Sequence, residues 1–311
     1  MASFRRSLVV FLITFLVGSI VFGTVALFAV PKVDELLGFA TSGERRTQDG
    51  GDDPLIDPGS APEISKGGLT ALLIGTDQKP GVKSGSEVSA DTIIFVTLSE
   101  NKKAFVYMSL PCRMEVIVDN EKMFLGDVYG KKGVEYLCQR VTGLTGISVN
   151  YYATVALEDM EQLINELGGV EFSVPVNMNY TDHKGKLNID ITRGYQRLSG
   201  KDAVNMLRYR GDSFRERGTR NVNFIQTLVR ELTAADTKQN AADTYLKLSK
   251  FVTTNFGQSD FVKYMDLIWS YSEFTEISLE YPGKYTTNDD GYTIYRPNTD
   301  AAYAMLAEYK N

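Results

Sequence analysis

The stretch Leu69-Thr-Ala-Leu-Leu-Ile-Gly75 is the starting point for predicting the fold. It is a short apolar run that ends at a glycine, which is typical of a strand buried in a sheet. Two similar runs follow at Thr92–Leu98 and Ala104–Leu110, and the polar segment Ser99–Lys103 between them predicts a hairpin. The first part of the folded region is therefore predicted to be a sheet.

Helical patterns alternate with strand patterns through the rest of the chain. Further strands are expected at Tyr151–Leu157, Val170–Val174 and Phe274–Tyr281. Helices are expected at Lys132–Thr142, Glu158–Leu167, Ser199–Leu207, Arg217–Leu232, Ala242–Thr253, Ser259–Tyr271 and Asp300–Lys310. Because the two patterns interleave, the predicted class is α/β or mixed α+β, with a central sheet covered by helices on both faces.

A long apolar run precedes this region. Leu8–Val30 contains no charged residue and exceeds the ~20 residues that a helix needs to cross a bilayer. Arg5 and Arg6 before it favour a cytoplasmic N-terminus. A cleaved signal peptide is the alternative, but its apolar core is usually only ~7–15 residues. The sequence thus predicts a single-pass cell-membrane protein with a cytoplasmic tail (1–7), a transmembrane helix (8–30), a juxtamembrane segment and linker (31–67) and an extracytoplasmic domain (68–311).

Composition restricts the possible chemistry. The 311-residue chain has a formal net charge of −6, which argues against a nucleic-acid-binding surface. Its one histidine, His183, lies in the polar stretch Asn179–Gly185, which is predicted to be a surface loop. A solvated loop histidine is therefore a simpler interpretation than a catalytic or zinc-binding one. Two cysteines in an exported domain, Cys112 and Cys138, predict a disulfide, with two separate buried thiols as the alternative.

Two aspartates flank the first predicted strands. Asp77 follows the first strand and Asp91 precedes the second. Carboxylates at strand ends border the edge of a sheet, where ligands usually bind. Two carboxylates together with substrate phosphates commonly hold Mg²⁺. The alternative is that both are turn or cap residues.

Five arginines lie close together in the sequence, from the end of the predicted helix Ser199–Leu207 into the start of the predicted helix Arg217–Leu232. Arg217 and Arg220 are three residues apart, so a helix places them on one face, with Asn221 beside them. Arginine suits phosphate because its guanidinium donates two hydrogen bonds in a fixed geometry. A solvated basic face paired with nearby acids is the alternative, and the residues alone do not decide between the two. The five are Arg208, Arg210, Arg215, Arg217 and Arg220.

Taken in order, these segments resemble the LytR-CpsA-Psr family. The resemblance extends from about Leu69 to the C-terminus, and the ordered set is more specific than any single segment. It rests on Leu73-Ile-Gly-Thr-Asp77, Ala90-Asp-Thr92, Ser109-Leu-Pro111, Tyr151-Tyr-Ala-Thr-Val155, Leu167-Gly-Gly-Val170, Gly194-Tyr-Gln-Arg-Leu-Ser-Gly200, Leu207-Arg-Tyr-Arg210 and Arg217-Gly-Thr-Arg-Asn221.

The resemblance implies a phosphotransferase. Such a protein moves a glycopolymer from a polyprenyl pyrophosphate carrier to a hydroxyl of peptidoglycan, or of a protein glycan. It also implies a single membrane span, Mg²⁺ or Mn²⁺ as cofactor, and an apolar channel for the lipid tail. The implied site comprises Asp77 and Asp91 as metal ligands; Arg208, Arg210, Arg217, Arg220 and Asn221 as pyrophosphate-binding residues; and Asp91, Arg113 and Arg217 as catalytic residues.

The sequence departs from the family pattern at several places, and two of these concern catalytic residues. The arginine of the family's Ser-[Ile/Leu]-Pro-Arg-Asp segment falls on Cys112, with Arg113 one position later. Phe214 occupies a position that is usually acidic, and Asp212 or Glu216 are the candidates to replace the missing acid. These departures leave two other functions open: a non-catalytic lipid-pyrophosphate-binding or regulatory protein, and a polyprenyl pyrophosphate hydrolase that uses water as the acceptor.

Overall fold

The computed structural model describes residues 68–77, 88–182, 187–234, 246–288 and 291–310. The strands are β1 (Thr70–Thr76), β2 (Ala90–Ser99), β3 (Ala104–Ser109), β4 (Glu115–Val118), β5 (Glu121–Phe124), β6 (Tyr151–Ala156), β7 (Val170–Val174), β8 (Met178–Asp182), β9 (Leu187–Ile191), β10 (Gly194–Leu198), β11 (Thr253–Thr254), β12 (Thr275–Glu280), β13 (Gly283–Thr287) and β14 (Thr293–Pro297). The helices are α1 (Leu125–Lys132), α2 (Val134–Thr145), α3 (Leu157–Glu166), α4 (Gly200–Arg208), α5 (Phe214–Leu232), α6 (Gln258–Lys263), α7 (Met265–Trp269) and α8 (Thr299–Leu306).

A six-stranded mixed sheet forms the centre, in the order β11-β6-β1-β2-β3-β12. β2 is antiparallel to both β1 and β3, whereas β1 pairs with β6, and β3 with β12, in parallel. The register places Ser99 opposite Ala104, which confirms the predicted hairpin. The fold is therefore mixed α+β, one of the two predicted classes.

The central strands are apolar on both faces because helices cover both. Along β2, Ile93 and Phe95 belong to a core that also contains residues of α1, α2 and α8. The alternate residues Ile94 and Leu98 pack with Val222 of α5 on the other face. This alternation is the period-two pattern of a strand, and here neither face meets solvent.

A second core lies beside the sheet. It joins the β7–β10 and β8–β9 ladders to α3, α4 and α5, with Phe172, Met206 and Phe224 buried among them. Phe172 and Phe224 pack edge to face, with ring centroids 5.6 Å apart. α5 packs in this second core through Phe224 and against the central sheet through Val222. These two contacts fix the position of the arginine-rich segment at the start of α5.

Several predicted elements differ in the structure. The segment Lys132–Thr142, expected to form one helix, spans two. Lys132 is the last residue of α1 and the rest lies in α2, because the helices separate at Gly133, where φ is +93°. Asn179–Asp182 lie in β8 rather than in a loop, and they are polar because this ladder is largely exposed. His183 lies outside the described residues. The hairpin of β13 and β14 has no counterpart among the predicted elements.

The predicted transmembrane run, Leu8–Val30, also lies outside the described residues. Among the helices that the structure does describe, none is both long and apolar enough to span a membrane.

Candidate functional site

Asp77 and Asp91 lie at the same edge of the central sheet. β1 and β2 are antiparallel, so the end of one strand meets the start of the other, and Thr76 pairs with Ala90 next to an irregularity in the register. The two carboxylates are close enough for the negative charge of Asp77 to raise the pKa of Asp91. The edge predicted to bind ligands therefore carries both acids.

Two arginines face these acids. The Arg208 Nη2 atom lies 4.0 Å from Asp77 Oδ2, and the Arg210 Nη2 atom lies 3.4 Å from Asp91 Oδ1. Arg208 is the last residue of α4, whose N-cap residue is Ser199; the Ser199 hydroxyl accepts a hydrogen bond from the Asp202 backbone N–H. All four charged side chains remain more than a third exposed, so the cluster is open to solutes.

Asp91 lies where several charges act together. Desolvation raises the pKa of its carboxyl most strongly, and the Asp77 charge raises it further. Arg210, Arg217 and Arg208 oppose this rise, and the net pKa is above the ordinary value. Asp91 is thus a partly desolvated carboxylate surrounded by three arginines and a second carboxylate.

Arg217 enters the cluster from the first turn of α5. Desolvation lowers the pKa of its guanidinium, and the neighbouring Arg210 charge lowers it further. The guanidinium carbon lies 4.9 Å from the centroid of the Phe214 ring. The N-cap residue of α5 is Ser213. Its hydroxyl accepts a hydrogen bond from the Glu216 backbone N–H, and the Glu216 carboxylate accepts one from the Ser213 backbone N–H. Glu216 is therefore engaged in helix capping.

Arg220 occupies a different environment from Arg217. Its side chain is only 1% exposed and pairs with Asp212, which is also buried. Its Nη2 atom donates to the Tyr209 carbonyl oxygen at 2.9 Å. Arg220 therefore holds the 209–212 segment that carries Arg210, instead of projecting into the open cluster. Asp212, one of the two candidates for the missing family acid, is its ion-pair partner.

Asn221 is also buried and faces the sheet. Its Nδ2 atom donates to Thr92 Oγ1 at 3.2 Å, next to Asp91 in β2. The structure places Asn221 and Arg220 behind the open cluster of Asp77, Asp91, Arg208, Arg210 and Arg217.

The guanidinium of Arg113 packs against two aromatic rings. Its guanidinium carbon lies 5.3 Å from the Phe124 ring centroid and 5.6 Å from that of Tyr292. Cys112 is close enough to feel the charges of Asp91 and Arg217. The Cys112 thiol, at the position where the family pattern has an arginine, therefore borders the site.

The predicted disulfide between Cys112 and Cys138 is wrong, because both cysteines are free thiols in the structure. Cys112 packs against Gly126 at the start of α1, whereas Cys138 lies in the middle of α2, where Glu135 on the same helix is the charge that acts on it. Burial raises the pKa of each thiol to about 12. Both thiols pack against the same apolar core, at different places and without bonding to each other, as in the alternative interpretation.

Asp77 and Asp91 can bind a divalent cation only if further ligands complete its coordination. Within the described residues, no group of three or more His, Cys, Asp or Glu side chains is arranged to hold a metal ion. Asp77 and Asp91 supply two carboxylates at one edge, and Mg²⁺ is often bound by one or two carboxylates plus substrate phosphates. The pair therefore fits a cation that is completed by a phosphate ligand.

Two aromatic residues beside Arg217 were not identified from the sequence as part of the site. Tyr285 of β13 stacks on Phe214, with ring centroids 5.4 Å apart and planes 20° apart. The charges of Arg217 and Arg215 act on the Tyr285 hydroxyl, although burial still raises its pKa. Phe214 had been noted only as a missing acid, and Tyr285 lies on a hairpin that was not predicted.

With this geometry established, comparison with known proteins identifies the class. The chain belongs to the LytR_cpsA_psr family, whose model matches residues 38–311. It is 24% identical over 226 residues to the polyisoprenyl-teichoic acid–peptidoglycan teichoic acid transferase TagV of Bacillus subtilis, covering 70% of this chain and 56% of TagV. It is 26% identical over 203 residues to the regulatory protein MsrR of Staphylococcus aureus, covering 64% of this chain and 60% of MsrR.

Solved structures support the same fold. The crystal structure of Bacillus subtilis TagV superposes with a TM-score of 0.66 at 20% identity, covering 79% of this chain and 98% of that one. TagT bound to LI-WTA superposes with a TM-score of 0.60 at 19% identity, covering 82% and 93%. The chain spans about half the length of the first curated relatives with which it aligns.

Proposed function

We propose that this protein is a phosphotransferase that moves a glycopolymer from a polyprenyl pyrophosphate carrier to a hydroxyl of peptidoglycan, or of a protein glycan. The observation that carries the proposal is the open cluster in which Arg208, Arg210 and Arg217 surround Asp91 beside Asp77. The names of the relatives support the choice of substrates, since TagV is named as a transferase of teichoic acid from a polyisoprenyl carrier to peptidoglycan.

The arginines account for recognition of the carrier. A pyrophosphate carries several negative charges, and guanidinium groups bind phosphate oxygens with paired hydrogen bonds. Arg217 is already partly desolvated, so its charge is less screened than that of a surface arginine. Arg220 and Asn221 support this arrangement from behind, through Tyr209 and Thr92 respectively.

The reaction exchanges one phosphorus–oxygen bond for another. The acceptor hydroxyl oxygen attacks the phosphorus that bears the glycopolymer, and the bond from this phosphorus to the oxygen bridging it to the second phosphate breaks. Polyprenyl monophosphate leaves, the glycopolymer becomes joined to the acceptor by a phosphodiester, and the hydroxyl proton is released. Arginines fixed around the transferred phosphate lower the barrier by stabilising charge that is spread over its oxygens.

We assign Asp77 and Asp91 as ligands of Mg²⁺, or Mn²⁺, when the carrier is bound. Such a cation would neutralise phosphate charge during the transfer. Asp77 and Asp91 would hold it, while Arg208, Arg210 and Arg217, which face the two carboxylates, would contact the phosphate oxygens.

The proposal includes attachment to the cell membrane through Leu8–Val30, with the N-terminus in the cytoplasm and residues 68–311 outside. The carrier is a membrane lipid and peptidoglycan is extracytoplasmic, so an anchored external domain would have access to both. Alkylation of single cysteines introduced at Ser7 and Ser60, in a variant whose native Cys112 and Cys138 are replaced by alanine, tests the topology. A membrane-impermeant reagent should label only the second in intact cells, and labelling of the first would contradict it.

The deciding experiment is a transfer assay. Purified protein is mixed with a synthetic polyprenyl pyrophosphate-linked oligosaccharide, a peptidoglycan fragment and Mg²⁺. If the protein is a transferase, polyprenyl monophosphate is released only when the acceptor is present, and the oligosaccharide becomes joined to the peptidoglycan fragment. Release without acceptor would instead identify a hydrolase. Binding without release would identify a lipid-pyrophosphate-binding protein, a function that the regulatory name of MsrR favours.

A further inference from the structure

Two exposed aromatic rings stand next to the arginine cluster, and the transfer chemistry above does not use them. Phe214 is 37% exposed and Tyr285 is 38% exposed, although their rings stack on each other. Large apolar groups are usually left exposed beside a polar site where a ligand covers them. The pair therefore needs an explanation beyond packing.

The pair is fixed in position by its neighbours. Arg215, which follows Phe214, forms an ion pair with Glu280 at 3.1 Å, and this joins the start of α5 to the end of β12. On the other side, the Tyr285 ring meets the buried Tyr295 ring edge to face, with centroids 4.8 Å apart. The Tyr295 hydroxyl in turn donates to the Tyr281 carbonyl oxygen. The two rings thus form a stable surface between helix and hairpin.

This surface directly adjoins the phosphate-binding side chains. The Arg217 guanidinium lies 4.9 Å from the Phe214 ring centroid, so a phosphate held by Arg217 brings its next substituent close to the rings. The neighbouring charges of Arg217 and Arg215 act on the Tyr285 hydroxyl, which places that hydroxyl near the same ligand. Phe214 also replaces an acid of the family pattern, so an aromatic ring stands where a related protein would have a carboxylate.

We propose that Phe214 and Tyr285 bind the sugar ring attached directly to the carrier's pyrophosphate, and so help to determine which glycopolymer is accepted. This inference rests on the proposed function. A pyranose ring presents a face of C–H groups that packs against an aromatic ring, while its hydroxyls remain at the rim. The Tyr285 hydroxyl offers a hydrogen bond at that rim, and the charges of Arg215 and Arg217 beside the rings favour an uncharged or anionic sugar over one that carries a free, protonated amine.

The test compares two ligands that differ only in the sugar. The first is a short-chain polyprenyl pyrophosphate, and the second is the same carrier bearing one N-acetylhexosamine. We expect Phe214→Ala to weaken binding of the glycosylated carrier by about tenfold and to leave binding of the bare carrier within about twofold of wild type. Phe214→Leu should behave like Phe214→Ala, and Phe214→Trp should restore the preference.

Controls separate the possible failures. Tyr195→Ala removes a more exposed aromatic residue on β10 and should change neither affinity. Thermal unfolding of each variant checks that the fold is intact. Equal weakening for both carriers, or no weakening for either, would overturn the inference while leaving the transferase proposal standing. If wild type binds neither carrier, the proposed function fails and the inference fails with it.

Discussion

Arg210 and Asp91 lie 119 positions apart in the sequence, yet their side chains meet at 3.4 Å over the edge of the central sheet. Asp91 is the second residue of β2, and Arg210 comes from the loop between α4 and α5. The contact therefore depends on the packing of α5 against the sheet.

Replacing Arg210 should weaken carrier binding. Arg210→Ala removes one charged hydrogen-bond donor, and we expect roughly a tenfold loss of affinity for polyprenyl pyrophosphate, since the side chain is solvent-exposed and partly screened. Isothermal titration calorimetry measures the change. Arg193→Ala, an exposed arginine between β9 and β10, is the matched control and should leave affinity unchanged. Equal loss in both variants would indicate a general charge effect rather than a site.

Asp91 should matter more for turnover than for binding. Asp91→Asn removes a proposed metal ligand, so we expect Mg²⁺-dependent transfer to fall by at least about a hundredfold while carrier affinity changes much less.

The raised pKa of Asp91 means that its ionised form disfavours the folded state. In metal-free buffer at neutral pH the variant should therefore melt higher than wild type, and the gain should diminish as pH falls through the folded-state pKa. A lower melting temperature at neutral pH would contradict this account.

The buried pair of Arg220 and Asp212 should contribute strongly to stability. Asp212→Ala leaves a buried guanidinium without its partner, and we expect the free energy of unfolding to fall by about 3–5 kcal/mol. Urea denaturation measures it. The double variant Asp212→Ala with Arg220→Met removes both charges, so it should recover part of the loss. Additive losses in the double variant would show that the two residues are not coupled.

The two thiols should remain reduced. Because Cys112 and Cys138 are free and burial raises both pKa values to about 12, dithiothreitol should leave the melting temperature unchanged. Iodoacetamide at pH 8 should label both thiols in urea and label them slowly in the native protein, as mass spectrometry can quantify. A fall in melting temperature on reduction would restore the disulfide hypothesis.

Gly126 should be required where α1 meets β2. A Cβ atom there would lie 2.6 Å from the Ala90 carbonyl oxygen, next to Asp91. We expect Gly126→Ala to destabilise the protein by about 1–3 kcal/mol and to reduce transfer, because β2 must move. Gly143→Ala in α2 meets no atom within 4 Å, so it should stabilise by up to about 1 kcal/mol. Similar effects at both glycines would contradict the close-contact explanation.

The elements that the sequence predicted well have a strong local pattern. β1 and the β2–β3 hairpin are continuous apolar runs because both faces are covered, and the α4 cap at Ser199 is visible in the sequence. The β13–β14 hairpin lacks such a pattern. Both strands are short and β13 is mostly exposed, so the place of the hairpin beside Phe214 is determined by tertiary contacts.

The arginine cluster shows the same limit. Helical spacing correctly places Arg217 and Arg220 near each other, but it cannot show that Asp212 folds back and buries one of them. The mistaken disulfide arose similarly, since the cysteine count indicates pairing but carries no information on which core surface each thiol joins. Local rules thus identified the residues near the site, while long-range packing determined what each one contacts.

The pairing of Arg208 with Asp77 and of Arg210 with Asp91 has a thermodynamic consequence. In the empty site each charge is already partly compensated by its neighbour. An anion that engages the arginines frees the carboxylates, and a divalent cation that engages the carboxylates frees the arginines. The two ligands should therefore bind with positive heterotropic cooperativity, and linkage requires each to raise the affinity of the other by the same factor.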